Sequence, residues 1–132
     1  MIYGILKDIK EGEYRVICTP MEVKSIVASG HEVWAQKDCG KSAGFSNEKY
    51  VEAGAKIIDT MEEMYAGCDM VAKVKEFTPV EYPLIRENQI ILGCIHPAGH
   101  PEEVDALLKS KCIAFTAVSM CVFGSKCYTF AL

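Results

Sequence analysis

No run in this chain of 132 residues approaches the roughly 18 apolar residues of a membrane span. The opening apolar stretch is already interrupted by Lys7, too early for the core of a signal peptide. A soluble, cytoplasmic protein is therefore expected. There is no basic run and no Lys/Arg patch interleaved with aromatics, and the net charge of -4 is spread along the chain, which sets nucleic acid aside as a partner. Neither a Gly-x-Gly-x-x-Gly nor a Walker-type loop occurs, so the chain carries no nucleotide fingerprint of its own. Zinc-binding spacing is also missing. His31 leads into a strand, His100 precedes a helix start, and Cys121 and Cys127 have no second cysteine pair, so no metal is expected.

What is present is the composition of one folded domain. Half the residues are hydrophobic and 24% are charged, enough apolar content at this length to bury a core. The seven cysteines are an odd number at irregular spacings, several of them inside apolar runs. That pattern suits reduced thiols packed as small hydrophobes in a reducing compartment.

Short β-rich runs alternate with amphipathic stretches. Strands are expected at Ile2 to Leu6, Glu32 to Ala35, Lys56 to Ile58, Met70 to Val74, Ile90 to Ile95 and Ile113 to Thr116. Pro20 opens a helix through Ala28 with Gly30 just beyond it. Ser46 begins a second helix through Ala53, closed by Gly54, and Thr60-Met61-Glu62-Glu63 is a capping-box pattern for a third, closed by Gly67. Pro79 to Arg86 is a fourth candidate, interrupted by Pro83, and Pro101 to Leu108 a fifth with acidic residues in its first turn. This alternation predicts an α/β fold: a mainly parallel sheet built by right-handed crossovers, with helices on both faces.

In such sheets ligands sit beyond the carboxyl ends of the strands, which draws attention to polar residues just after them. Lys73 and Lys75 end the fourth strand, and two-residue alternation places them on one face, with Lys75 nearer the ligand end. His96 follows the fifth strand, and imidazole as a group exchanges protons near neutral pH. Arg15 follows the first strand, and a guanidinium fork can take a carboxylate in two parallel hydrogen bonds. Singly, each is more often a solvated charge or a hydrogen-bonded cap than a catalyst. Their shared position after strands of one sheet is what joins them into a site for a small anion.

The segments 1–10, 13–16, Thr19-Pro20, 30–33, 44–46, 53–55, Lys73-Val74-Lys75-Glu76 and Ile95-His96 together resemble the N-terminal domain of alanine dehydrogenase, shared with the pyridine nucleotide transhydrogenases. The resemblance runs from about residue 1 to 118. It implies that Arg15 holds the substrate carboxylate, that Lys75 bonds the substrate, and that His96 is the acid/base beside the reacting carbon. Transhydrogenases place other residues where Lys75 and His96 stand, which favours the alanine dehydrogenase branch. The implied reaction is the NAD-dependent interconversion of L-alanine with pyruvate and ammonia. Family members are more than twice as long, with an inserted Rossmann domain and a further catalytic aspartate outside this region. Residues 119–132 form an apolar tail unlike the family.

The chain is therefore expected to be a fragment or split subunit that binds L-alanine or pyruvate and no cofactor by itself, NAD arriving with a separate nucleotide-binding chain. Homo-oligomers are known in the family, so self-assembly is a further expectation. A stand-alone amino-acid or keto-acid binding module, or a non-functional remnant, are the alternatives.

Overall fold

Short, mostly apolar runs form the strands, and the residues bounding them decide where each one stops. The structure, a computed structural model, describes residues 1–116 throughout and, beyond them, only the backbone of 120–122 and 126–128. In chain order the elements are β1 (Ile2–Ile5), α1 (Pro20–Ala28), β2 (Glu32–Gln36), α2 (Asn47–Glu52), β3 (Lys56–Ile58), α3 (Met61–Gly67), β4 (Met70–Ala72), β5 (Ile90–Gly93), α4 (Pro101–Ser110), β6 (Ile113–Thr116), β7 (Met120–Val122) and β8 (Lys126–Tyr128). The last two pair antiparallel with each other. The expected tail, 119–132, otherwise lies outside the described residues.

The six main strands form one all-parallel sheet in the order β3-β2-β1-β4-β5-β6. The class and the parallel sheet match the sequence reading. Helices lie on both faces. On one, α1 and α2 cover Ile5, Val33 and Ala35 with Val23, Tyr50 and Ala53. On the other, Met64, Tyr65 and Leu107 from α3 and α4 pack on Val71, Ile91 and Ala114. Burial of these side chains drives the packing, each large one worth about 1.5–3 kcal/mol relative to exposure.

Local chemistry fixes the helix starts. Thr19 and Glu22 form a reciprocal capping box at α1, and Thr60 and Glu63 do the same at α3. A cap of this kind contributes about 1 kcal/mol. Ser46 occupies the N-cap of α2 but makes no side-chain cap bond there. Gly67 lets α3 lie directly on β2, since a Cβ there would stand 2.2 Å from the Trp34 ring.

Two expectations need correction. Pro79 to Arg86 is not a helix but a loop with one 3-10 turn at Tyr82–Leu84, because Pro83 supplies no amide hydrogen and stops propagation. The fourth strand ends at Ala72, not Val74, so its alternation does not extend to both lysines. Lys73 is fully buried, whereas Lys75 is half-buried and lines a cavity.

Candidate functional site

The sheet order reverses between β1 and β4, and the crevice beyond the carboxyl ends of those two strands is where open α/β sheets bind ligands. A cavity of about 410 Å³ opens there, lined by Lys10 to Arg15 of the loop after β1 and by Lys75 of the loop after β4. The two loops are tied together by Asp8, whose carboxylate accepts the Lys75 amide at 2.9 Å and the Lys10 amide at 3.2 Å. Arg15 and Lys75, two of the three residues singled out in the sequence, thus line one cavity.

Arg15 is positioned by Glu13. The guanidinium donates from Nε at 2.8 Å and from Nη2 at 2.6 Å, and the Arg15 amide donates to the same carboxylate at 2.9 Å. Glu13 is nearly buried, with 5% of its side chain exposed, while Arg15 is 68% exposed. The Arg15 fork draws the Glu13 carboxyl down to about 2, and the Lys75 charge adds to this. Glu13 in turn holds the guanidinium above its ordinary value, and Cys94 contributes in the same direction. Because Glu13 occupies the Nε side of the fork, the Nη1 side stays available for a second carboxylate. Among the described residues, the Lys75 ammonium makes no hydrogen bond or ion pair.

His96 does not line this cavity. Its side chain is exposed beyond the end of β5, the strand next to β4, and its carbonyl accepts the amides of Gly99 and His100 at 3.0 Å each. Lys73 turns away from the cavity to Glu81, with bonds of 3.2 and 2.9 Å, both side chains fully buried. The Tyr65 hydroxyl and the Thr78 amide and hydroxyl complete the coordination of Glu81.

Sequence reasoning missed Glu13, Asp8, Glu76 and Glu103. Glu13 had one visible signal, its place two residues before Arg15. Glu76 is largely buried and pairs with Lys10, with His100 3.8 Å away. Glu103 gave no signal, since its neighbour Glu102 is equally acidic and is exposed.

The strand order is that of dinucleotide-binding domains, but the first βα turn does not fit a dinucleotide. The segment from Leu6 to Thr19 holds a single glycine, and the N-terminus of α1 is closed by its own Thr19 and Glu22 carboxylate, which would repel a pyrophosphate. Among the described residues no cluster of three or more His, Cys, Asp or Glu is arranged for a metal, and no helix is long and apolar enough to cross a membrane.

Fold and cavity define a doubly wound α/β domain with a cation-lined crevice at its switch point. Residues 4–121 match the family described as "Alanine dehydrogenase/PNT, N-terminal domain", and the chain belongs to that family. Alanine dehydrogenase 1 of Staphylococcus aureus (strain bovine RF122 / ET3-1) is 42% identical over 107 residues, 81% of this chain and 28% of that protein. The alanine dehydrogenase of Methanococcus maripaludis is 38% identical over 122 residues, 91% of this chain and 33% of that protein. Among solved structures, an L-alanine dehydrogenase superposes with a TM-score of 0.86 at 33% identity, over 90% of this chain and 33% of the other. A transhydrogenase from Sinorhizobium meliloti shares the fold, with a TM-score of 0.84 at 20% identity over 93% of this chain and 37% of the other. The chain thus spans about a third of the length of these relatives.

Proposed function

We propose that this chain is the substrate-binding part of an NAD-dependent L-alanine dehydrogenase, for the reaction L-alanine + NAD + water to pyruvate + ammonia + NADH. The observation that carries the reading is the cavity between β1 and β4, with Arg15 and Lys75 on facing loops. The Nη1 side of Arg15 takes the substrate carboxylate, the Lys75 ammonium bonds the keto oxygen, and His96 exchanges a proton with the water that adds to the imine carbon. Since the first βα turn does not fit a dinucleotide, NAD is assigned to residues outside those described, carried by a separate nucleotide-binding chain or a further domain.

In this reading the domain ends near residue 118 and 119–132 is an appended tail. Self-assembly and a reducing, cytoplasmic setting belong to it as well; that the five described cysteines, Cys18, Cys39, Cys68, Cys94 and Cys112, are free supports the latter. Titration calorimetry with pyruvate and L-alanine tests the reading. The expected result is saturable binding that Arg15→Ala abolishes without unfolding the protein, and heats that are the same for both proteins would sink it. The misfit to a dinucleotide also favours a second reading, a keto-acid or amino-acid binding module without catalysis. Alanine-dependent NADH formation on adding a nucleotide-binding partner chain separates the two.

A further inference from the structure

Glu103 is the third residue of α4, a position where an acid ordinarily faces solvent and the helix N-terminus. Here it is fully buried, and it does not serve its own helix. Its Oε1 accepts the amide of Phe77 at 2.7 Å, reaching across to the loop after β4, two residues beyond Lys75. Its Oε2 is buried and has no hydrogen-bond partner. A half-satisfied buried carboxylate is destabilising by itself, so its presence here calls for a role beyond packing.

The helix that carries Glu103 follows directly on the loop that carries His96, and the Glu103 amide donates to the His100 carbonyl at 3.1 Å. Burial holds the carboxyl above the ordinary range; the Phe77 amide and the charge of His100 oppose that, and Glu76 reinforces it. The same loop is already tight, because the His96 carbonyl takes the Gly99 and His100 amides and Pro101 begins α4 immediately after. Glu76, one residue from Lys75, pairs with Lys10 and lies 3.8 Å from His100. Glu103 therefore stands where the loops from β4 and β5 meet.

We propose that Glu103 is a positioning residue that holds the Lys75 loop and the His96 loop in register, so that the two side chains address one ligand. The proposal rests on the substrate reading above for what the ligand is, but not for the coupling of the loops.

The experiment uses backbone and imidazole NMR signals of the full chain together with pyruvate calorimetry, on Glu103→Ala, Glu103→Asp and Glu103→Gln. Alanine removes the acceptor and aspartate is too short to reach Phe77, so both should move the Phe77, Lys75 and His96 signals together. Both should also weaken pyruvate binding on the order of tenfold or more, as misplacement of reacting groups does. Glutamine keeps an acceptor oxygen for Phe77 and should restore the signals and most of the affinity, a rescue that loss of packing alone does not predict. A folded Glu103→Asp protein with His96 signals and pyruvate affinity unchanged overturns the proposal, whether or not the alanine variant folds. If the unsubstituted protein binds no pyruvate but the signals of both loops still move together, the substrate reading fails and the coupling stands. If it binds pyruvate and only the Phe77 and Lys75 signals move, the coupling fails and the substrate reading stands.

Discussion

Two charge centres lie at the end of β4, and they are built in opposite ways. At Lys73 the ammonium and the Glu81 carboxylate are fully buried, and the carboxylate oxygens are met by Lys73, Tyr65 and Thr78. At Lys75, two residues later, the ammonium stands in an open cavity near an exposed arginine. The first centre is closed and satisfied, so it has nothing to offer a ligand; the second keeps donors in reserve. Charge alone does not mark a binding site. What marks it is donor capacity the protein leaves unused.

The largest expected effect lies at the closed centre. Glu81→Gln strands a buried ammonium and should cost about 3–5 kcal/mol, measured by denaturant unfolding, while Lys73→Met with Glu81→Leu should recover much of that loss. A double variant as unstable as the single one would show that the pair also carries stability of its own. Next is the open centre, where Lys75→Met should leave the unfolding midpoint almost unchanged and reduce pyruvate affinity. Losing one charged hydrogen bond corresponds to about 1.5–3 kcal/mol, and calorimetry decides it. If stability falls instead, the lysine is structural and the contrast with Lys73 breaks down.

Asp8→Ala tests the tie between the two walls of the cavity. It should cost about 1 kcal/mol in stability and weaken ligand binding, because the Lys75 amide loses its partner.

The smallest effect is a pH dependence at Glu13. Its folded pKa of about 2 lies below the ordinary 4.5, so its pairing stabilises the protein fully above about pH 5. That contribution fades as the pH falls from 4.5 toward 2. Thermal melts of the protein and of Glu13→Gln should therefore differ near neutrality and converge only below about pH 2. A gap that persists there assigns the effect to packing.

The sequence made some of this legible and hid the rest for identifiable reasons. All six strands of the main sheet were expected within two residues of their observed ends, since short apolar runs broken by polar or turn-forming residues leave few alternatives. The starts of α1 and α3 were equally visible, because a capping box is local chemistry. The fates of Lys73 and Lys75 were not. Alternation predicts one face only while the strand continues, and β4 stops at Ala72 before either lysine is reached. Lys73 is then drawn inward by Glu81, a tertiary partner that no periodicity announces. Arg15 was identifiable by residue type and position, but its bond to Glu13 depends on the shape of a loop. Glu102 and Glu103 are identical letters in one helical turn, and only the packed fold separates the exposed one from the buried one.

The strand order has a kinetic consequence. Asp8 and Lys75, which join the walls of the cavity, are 67 residues apart in sequence, and β2, β3, β4 and three helices lie between them. Closing so long a loop is entropically unfavourable and slow compared with forming neighbouring helices. The pairing of β1 with β4 that closes the crevice therefore belongs late in folding. In a refolding experiment, the recovery of pyruvate binding should lag behind the recovery of helical circular dichroism, making ligand capture a clock for the last long-range step.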